Sequence, residues 1–326
     1  MAQRQSTSVR RRQLTTAELD RLRIALGSDF ISLGASPLVG GIDTAAYRLK
    51  AQKKNGEEVT MVLRCFRGPD RTRSAERVRH ERALLDAIAP HFARAPRPLI
   101  ADPSGDLLGD PLVILTWLPG RPEPPPRTGD LAARAHWIEE FARPLAEIHA
   151  IGLNSLPPDM RRDESVATVL ESLEREAPND GLSDAIVAAL HRLLPATRSA
   201  TLVLLHHDYW YGNTIWEDRR LTGVVDWSAA RLGDPRKDLA LARADLAVTL
   251  DSAATDELAG AYERVRGPVG GLVFWDLLWA LVGRRSMESW LIGYSELRLP
   301  GLSYAEAQSR LAVFAERALQ QEAHSG

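Results

Sequence analysis

One proline-rich segment divides the chain into two parts of different character: PGRPEPPPRTGD, at residues 119–130. Its five prolines exclude a regular helix or strand, because proline fixes φ and lacks a backbone N–H. Residues before it have the composition and turns of strands, whereas most residues after it follow the helical period. The 326 residues are also too many for one small core. We therefore predict an α+β fold with a small strand-rich N-lobe and a larger helical C-lobe.

The first part of the chain contains a clear hairpin pattern. Two strand-like runs, TAAYRLKAQ and EVTMVLRCF, flank KKNG, and Asn55-Gly56 is typical of a two-residue hairpin turn. A helical pattern follows in RSAERVRHERALLDAI, and a buried strand is predicted in GDPLVILTWL. Near the N-terminus, TTAELDRLRIAL predicts a short helix with a capping box that begins at Thr16. The predicted boundaries are a basic tail and short helix at 1–28, the N-lobe at 29–118 and the C-lobe at 119–326.

Composition and charge exclude several classes of partner. The formal net charge is -2, so no strong field favours nucleic acid or a membrane surface. Arg10 to Arg12 form a basic cluster with no apolar run behind it, so it is not a secretory signal. We expect a mobile, solvated tail there, and a nucleic-acid-binding arm is the alternative. No apolar run reaches about 18 residues, so no transmembrane helix is predicted.

Cys65 is the only cysteine in the chain. It excludes an internal disulfide and a zinc site made of cysteines alone. We interpret it as a small buried residue of its strand. A single cysteine also fits a reducing compartment, and we expect a cytoplasmic location.

The most informative stretch is LLHHDYWYGNTIWEDRRLTGVVDW, at residues 204–227. It places Asp226 in an apolar run, where a carboxylate is costly to bury. Asp208 and Asn213 lie five residues apart in a loop, and the sequence from Asn213 to Asp226 has the pattern of a hairpin. Because a hairpin returns its ends to the same place, Asn213 and Asp226 should be neighbours, with Asp208 close by.

Two carboxylates and an amide at one place form a set of oxygen donors that suits Mg²⁺. The spacing His-His-Asp-x4-Asn, from His206 to Asn213, matches the catalytic loop of protein kinases, and Asp226 takes the place of their metal-binding Asp. Two alternatives remain: a chance pattern in a loop, and a metal site formed by His206 and His207.

The same stretch, with ARLGDPRKDLA after it, resembles the aminoglycoside phosphotransferase family of small-molecule kinases. Members of that family carry H-G-D-x-H-P-G-N, I-D-W, G-D-P and D-L-A, and this chain has HHDYWYGN, VVDWSAA and GDPRKDLA. The resemblance extends from about Phe30 over most of the chain. It implies a protein-kinase-like fold with two lobes and an active-site cleft between them.

The resemblance also implies roles for single residues. Asp208 would be the catalytic carboxylate that faces the acceptor hydroxyl, and Asn213 and Asp226 would hold Mg²⁺. His206 would brace the loop by a hydrogen bond. Two further acids, Asp234 and Asp238, would tie the segment to a helix that begins near Lys237, although a turn and a helix N-cap explain them equally well.

Two departures from the family pattern stand in the loop. His207 replaces the usual glycine, and we expect its bulk to be tolerated because protein kinases have arginine there. Trp210 and Tyr211 replace the usual His-Pro. That change alters the wall of the acceptor site and leaves the substrate subclass open.

In the N-lobe, the resemblance predicts a basic residue for the nucleotide phosphates, and Arg64 stands at that place. We expect Glu81 to be its partner, because Glu81 lies on the apolar face of its helix, where a carboxylate needs a buried cation. The alternatives are a surface arginine on an edge strand and a surface pair between Glu81 and Arg77.

The remaining nucleotide contacts are predicted from the same resemblance. Gly40 and Gly41 would let the backbone approach the phosphates, although two glycines between strands are also typical of a plain turn. The nucleotide base would bind the backbone near Trp117 and Leu118. Since side-chain identity hardly matters there, the choice between ATP and GTP stays open.

We thus expect a Mg²⁺-dependent kinase that transfers the γ-phosphoryl group of ATP or GTP to a hydroxyl of a small molecule. The acceptor stays open among macrolides, aminoglycosides, amino alcohols and sugars. Trp275, Trp279 and Trp290 belong either to the core or to the wall of a partly apolar pocket, and the C-terminus lacks the acidic cluster that a polycation needs. A catalytically silent pseudokinase or scaffold is the alternative. A protein kinase is disfavoured, because SAARLGDP leaves too few residues for an activation segment.

Overall fold

The computed structural model describes residues 12–38, 44–126, 130–197, 201–297 and 301–325. The chain divides into two compact units, Met1–Leu118 and Pro119–Gly326. The interpretation of the basic tail falls mainly on residues outside the described ranges, as does the glycine pair Gly40 and Gly41.

The first unit is built on an antiparallel sheet of five strands in the order β1-β2-β3-β5-β4. The strands are β1 (Phe30–Pro37), β2 (Thr44–Lys53), β3 (Glu58–Phe66), β4 (Pro98–Asp102) and β5 (Leu112–Thr116). Two helices accompany it, α1 (Thr16–Leu26) and α2 (Arg71–Ile88). Apolar side chains from α1 and from β2, β3 and β5 form its core. Cys65 lies in that core as predicted, and burial raises the pKa of its thiol to about 12.

Two local predictions in this unit need correction. The capping box of α1 is present, but the N-cap is Thr15 rather than Thr16. The Thr15 N–H donates to the Glu18 carboxylate over 2.8 Å, and the Glu18 N–H donates back to the Thr15 hydroxyl over 3.3 Å. The β2–β3 hairpin forms, but Lys53 N–H pairs with Glu57 O and Gly56 alone takes a positive φ, of 86°. The turn is therefore longer than two residues.

The second unit is mainly helical. Its helices are α3 (Leu131–Ile148), α4 (Val166–Arg175), α5 (Gly181–Leu193), α6 (Pro235–Thr249), α7 (Ser252–Arg266), α8 (Leu272–Glu296) and α9 (Tyr304–Ser325). Short strands interrupt them: β6 (Val203–Leu205) pairs with β9 (Arg231–Gly233), and β7 (Thr214–Glu217) pairs with β8 (Arg220–Val224). This distribution confirms the predicted α+β class. Among the described residues, no helix is long and apolar enough to cross a membrane.

Helix α6 is the centre of the second unit. Every residue from Lys237 to its end is buried, and α7, α8 and α9 pack around it. It begins at Pro235, earlier than predicted, because the Asp234 carboxylate accepts the Arg236 N–H over 2.9 Å and caps the helix. Proline suits this first turn, since its missing N–H has no partner there in any case. The N-cap interpretation of Asp234 is therefore confirmed.

Candidate active site

The loop at residues 206–213, called the catalytic loop below, is fixed at its start by α6. The carboxylate of Asp238 accepts the backbone N–H of His206 over 2.7 Å and that of His207 over 2.9 Å. Burial would raise the pKa of Asp238, but its hydrogen bond from His149 and the nearby histidines hold that pKa below the usual value. A charged acceptor bound to two amides is a strong anchor. Asp238 therefore ties the loop to α6, as the resemblance implied.

His206 braces the loop from inside. Its side chain is 0% exposed, and its Nε2 lies 3.0 Å from the carbonyl oxygen of Val225, at the far end of the hairpin. Burial lowers the pKa of its imidazole, so the ring is held neutral. The predicted brace is present, and it joins the start of the catalytic loop to the residue before Asp226.

His207 occupies a conformation that favours glycine. Its φ is 67°, in the left-handed region, where a side chain costs free energy. The resemblance placed glycine at this position, and the structure accommodates histidine only with that backbone strain. The His207 Nε2 lies 3.4 Å from the carboxylate of Asp163.

Asp163 is the centre of an ion-pair network beside His207. It lies 2.6 Å from Lys237 and 3.6 Å from Arg231. Burial works against the charged form of Asp163, but His207 and Lys237 outweigh it and hold its pKa well below the usual range. These residues line a cavity of about 250 Å³, whose apolar wall comes from α4 and α8. Asp163 therefore holds His207, Lys237 and Arg231 together at one side of this cavity.

The ends of the β7–β8 hairpin meet as predicted. The Val225 N–H donates to the Asn213 carbonyl over 2.9 Å. The turn between the strands consists of Asp218 and Arg219, with φ of 49° and 62°, which is the two-residue turn that suits strand twist. Residues 213 and 225 are therefore backbone neighbours, although twelve positions separate them in sequence.

Asn213 also joins Asp208. Its amide nitrogen donates to the Asp208 side chain over 2.8 Å and to the Asp208 carbonyl over 2.9 Å. With the amide nitrogen turned towards Asp208, the carbonyl oxygen of the same side chain points elsewhere and remains an acceptor. The structure thus brings Asp208, Asn213 and the end of β8 together.

Asp226 follows β8 in a strained conformation. Its φ and ψ are 65° and 64°, a left-handed geometry that is uncommon outside glycine. The Ser228 hydroxyl donates to its carboxylate over 3.0 Å. Its neighbour Trp227 is fully buried, whereas Asp226 itself is half-buried. The carboxylate therefore avoids full burial in the apolar run, because the chain turns sharply at this residue.

The donor set of this site fits a hard cation. Asn213 and Asp226 offer an amide oxygen and a carboxylate, the ligand types that Mg²⁺ prefers when water and phosphate complete its shell. Across the described ranges, no group of three or more His, Cys, Asp or Glu residues is placed to hold a metal. The geometry disfavours the alternative of a di-histidine site, because the Nε2 of His206 faces the Val225 carbonyl and the Nε2 of His207 faces Asp163.

In the first unit, Arg64 and Glu81 form the predicted buried pair. Arg64 is 7% exposed and Glu81 is 0% exposed, and the Arg64 guanidinium donates to the Glu81 carboxylate. The guanidinium carbon also lies 5.3 Å from the ring centroid of Phe66. Both surface alternatives are wrong, because neither side chain is at the surface.

The residues predicted to contact the nucleotide base lie directly after β5. Trp117 is half-buried, and the guanidinium carbon of Arg48 lies 4.4 Å from its ring centroid. Leu118 follows and is also half-buried. Their role as a base-binding segment stays a prediction.

The three tryptophans of α8 differ in burial, and only the assignment of Trp275 to the core is settled by it. Trp275 is buried in the core, whereas Trp279 and Trp290 are half-buried. Trp279 donates from its ring N–H to the Lys237 carbonyl over 2.8 Å and lines the cavity beside Asp163.

Sequence reasoning missed one buried acid near the catalytic loop. Asp245, on α6, accepts the Tyr294 hydroxyl of α8 over 2.8 Å. Burial raises the pKa of Asp245 to about 7. Its only signal in the sequence is an acid within the apolar run ALARADLAVTL, seven residues after Asp238.

Comparison with known proteins agrees with this geometry. The model of a family described as the phosphotransferase enzyme family, APH, matches residues 34–277. Solved structures with the same fold include the macrolide 2′-phosphotransferase MphH from Brachybacterium faecium, at 23% identity and a TM-score of 0.60. The match covers 91% of this chain and 98% of that chain. A search of curated proteins gave no significant match.

Two further similar structures contain ligands. One is a variant of the aminoglycoside phosphotransferase APH(4)-Ia in a ternary complex with ADP and hygromycin B, at 17% identity and a TM-score of 0.59. The other is APH(2″)-IIIa with GDP and kanamycin, at 17% identity and a TM-score of 0.61. The matches cover 92% and 94% of this chain, and 98% of each of those chains. At these identities, the likenesses establish the fold alone.

The fold and the family match place this protein among the kinases of small molecules. The family model spans most of the chain, from the sheet of the first unit to α8 of the second. The chain therefore belongs to the APH phosphotransferase enzyme family, as its sequence motifs predicted.

Proposed function

We propose that this chain transfers the γ-phosphoryl group of ATP or GTP to a hydroxyl of a small molecule, in a reaction that depends on Mg²⁺. One observation carries the proposal: the side chains of Asp208 and Asn213 are hydrogen-bonded at one end of a hairpin whose other end leads into Asp226. Phosphoryl transfer needs this combination of a carboxylate for the acceptor and oxygen ligands for a metal.

Asp208 is the proposed catalytic residue. Its carboxylate would orient the acceptor hydroxyl and accept its proton late in the reaction. Because the transition state of phosphoryl transfer is loose, positioning and charge matter more than the strength of the base. The hydrogen bond from Asn213 supports this role, since it fixes the direction of the Asp208 side chain.

Asn213 and Asp226 are the proposed metal ligands. When bound, Mg²⁺ would neutralise negative charge on the phosphate oxygens of the nucleotide. The β7–β8 hairpin would keep the two proposed ligands at a fixed separation, because the Val225 N–H donates to the Asn213 carbonyl and holds its two ends together. The left-handed backbone of Asp226 sets the direction of its carboxylate.

Arg64 is the proposed contact for the α and β phosphates. Its guanidinium remains charged at any working pH and can donate to phosphate through several N–H groups. Glu81 would hold it in one orientation through the buried pair. Gly40, Gly41, Trp117 and Leu118 are proposed to complete nucleotide binding through the backbone.

The similar structures support the proposed phosphoryl donor and the proposed class of acceptor. The complexes of APH(4)-Ia and APH(2″)-IIIa contain ADP and GDP, which supports ATP or GTP as the donor here. Their antibiotics, together with the macrolide 2′-phosphotransferase activity named for MphH, favour an antibiotic of the macrolide or aminoglycoside type as acceptor. Amino alcohols and sugars remain candidates, since one fold serves many acceptors.

A mass-spectrometric transfer assay tests the proposal. The full chain would be incubated with Mg²⁺, either ATP or GTP, and pools of macrolides, aminoglycosides, amino alcohols and sugars. We expect a phosphorylated product, and we expect Asp208→Ala to lower turnover by about 10²-fold or more while nucleotide affinity is retained. Asp184→Ala, at an exposed position of α5, is the matched control and should behave like the unchanged chain.

The results of this assay distinguish a catalytic role of Asp208 from the alternative of a catalytically silent protein. Loss of nucleotide binding in Asp208→Ala would argue against a catalytic role, because a residue that faces the acceptor should not determine that affinity. Tight Mg²⁺-dependent nucleotide binding without transfer to any pool would favour a catalytically silent protein instead.

A further inference from the structure

We propose that Asp245 is a positioning residue, which fixes the Tyr211 end of the catalytic loop in the way that Asp238 fixes its beginning. The proposal rests on the function proposed above, because it concerns the placement of Asp208 and Asn213. It assigns a task to a buried carboxyl group that the transfer reaction itself does not use.

Asp245 is buried where an acid is costly. It is 2% exposed, and one carboxyl oxygen accepts the Tyr294 hydroxyl over 2.8 Å. The second oxygen is buried and makes no hydrogen bond of ordinary geometry, although the Tyr211 backbone N–H lies close enough to lower the pKa of the carboxyl group. A buried polar atom of this kind lowers stability, so its presence in a packed helix calls for an explanation.

Tyr294 connects Asp245 to the catalytic loop, because its hydroxyl donates to Asp245 and its ring packs against aromatic residues of the loop. Its ring is nearly parallel to that of Tyr211, with centroids 6.1 Å apart and an interplanar angle of 12°. Its ring also meets Trp210 edge-on, at 5.8 Å. Burial raises the pKa of Tyr294 well above its usual value, so its hydroxyl stays a donor to Asp245. The ring of Tyr294 therefore lies between the carboxyl group of Asp245 and two aromatic rings of the loop.

This aromatic cluster packs tightly around Gly212 of the loop and Gly293 of α8. A Cβ added at Gly212 would collide with the ring of Trp210, and one added at Gly293 would lie 3.2 Å from it. Close packing of this kind transmits a displacement from one residue to the next. A movement of Tyr294 would therefore move the residues directly before Asn213.

The geometry of α6 gives the two acids related tasks. Asp238 and Asp245 are seven residues apart, which is about two helical turns and places them on one face. Asp238 accepts the amides at residues 206 and 207, whereas Asp245 reaches residues 210 and 211 through Tyr294. Asp208 lies between these two anchors in the sequence.

The ionisation of Asp245 depends on the charge of Asp208, the proposed catalytic residue. Burial raises the pKa of Asp245 to about 7 and the charge of Asp208 adds to that rise, whereas the hydrogen bond from Tyr294 and the backbone N–H of Tyr211 lower it. The other ionisable groups around α6 are engaged elsewhere: Arg243 pairs with Asp276 on α8, and Arg310 of α9 donates to the carbonyls of Val248 and Leu250. Above neutral pH, Asp245 would therefore be an uncompensated charge, and we expect the loop to loosen.

Steady-state kinetics of the full chain tests this role, with the nucleotide and acceptor that the transfer assay yields. Without such an acceptor, the rate of Mg²⁺-dependent nucleotide hydrolysis serves as the readout. We expect Asp245→Ala to lower kcat by about tenfold or more and to change both KM values by less than about twofold, because positioning acts on the chemical step. Asp245→Asn keeps the acceptor oxygen for Tyr294 and should restore most of kcat.

The pH profile separates positioning from mere structural support. For the unchanged chain, kcat should fall several-fold as pH rises through about 7, whereas Asp245→Asn should show no fall in that range. Tyr294→Phe keeps the ring but loses the donor, so it should lower kcat even if Asp245→Ala fails to fold. An Asp245→Asn profile that coincides with that of the unchanged chain would overturn the proposal, as would a folded Tyr294→Phe with full kcat.

The proposed function fails in a different way. If the unchanged chain neither transfers nor hydrolyses, or if Asp208→Ala is as active as the unchanged chain, the catalytic assignment itself is wrong. If Asp208→Ala is inactive but both Asp245 variants match the unchanged chain, only the positioning role is lost.

Discussion

At the scale of single residues, Asp226 and Asp208 carry similar side chains but have different proposed tasks. Asp226→Ala should weaken binding of the magnesium–nucleotide complex by about tenfold or more, because it removes the only carboxylate among the proposed metal ligands. Isothermal titration of Mg²⁺ with a non-hydrolysable nucleotide measures this directly. Unchanged affinity would rule out Asp226 as a ligand.

The buried pair in the first unit allows stability to be separated from function. Glu81→Leu alone should destabilise the chain by about 3 kcal/mol, because it leaves the guanidinium of Arg64 buried without its partner carboxylate. The double substitution Arg64→Met with Glu81→Leu should recover most of that stability, since two apolar side chains replace the pair.

The same double variant should bind nucleotide at least about tenfold more weakly, because the proposed phosphate contact is gone. Urea unfolding and nucleotide titration on the three proteins provide the two measurements. A stable double variant with normal nucleotide affinity would show that the pair is structural only.

At the scale of elements, the β7–β8 hairpin shows what sequence could predict. The pattern NTIWEDRRLTGVVDW predicted two strands and the meeting of their ends, because turn residues and alternation act locally. The pairing of Arg64 with Glu81 was predicted from the family resemblance, and the position of Glu81 on the apolar face of its helix singled out that acid.

Other features depend on tertiary packing and left no local signal. The contact of Asp245 with Tyr294 joins residues 49 positions apart on two helices. The positive φ of His207 and Asp226 arises where the loop meets α6 and β8; for His207 the glycine of the family pattern is a signal, whereas for Asp226 the apolar run around it gives none. The predicted N-cap of α1, Thr16, is one residue after the observed N-cap, Thr15, because two adjacent threonines offer the same side chain.

The turn of this hairpin supplies a prediction at the same scale. Asp218 and Arg219 both adopt a positive φ, which Asn and Gly tolerate better. Replacing them with Asn and Gly together should stabilise the chain by about 1 kcal/mol without affecting transfer, because the turn lies at the opposite end of the hairpin from Asn213. Thermal unfolding beside the transfer assay checks both parts. A lower melting temperature would contradict the turn assignment.

At the scale of the whole molecule, two acids of α6 make the stability respond to pH in opposite directions. The pKa of Asp238 is lowered by its partners in the folded state, so its contribution is present above the unfolded pKa and is lost as pH falls. The pKa of Asp245 is raised from its ordinary 3.8 to about 7. The folded chain therefore holds a proton that the unfolded chain releases, and stability falls as pH rises between these two values.

Asp245→Asn should remove the fall in stability with rising pH that Asp245 causes, because asparagine does not ionise. A shift of this size corresponds to about 4 kcal/mol at pH 8, where both states are ionised and the folded state bears the full cost of ionisation. At pH 5 it corresponds to less than half of that, because the folded carboxyl is still protonated there and only the unfolded state has released its proton. Urea unfolding of the unchanged chain and the variant at both pH values gives the difference. We expect the variant to be more stable than the unchanged chain at pH 8 and the gap to narrow at pH 5. An equal gap at both pH values would mean that Asp245 does not change protonation on folding between pH 5 and pH 8, and it could then not cause the fall in kcat that is expected near pH 7.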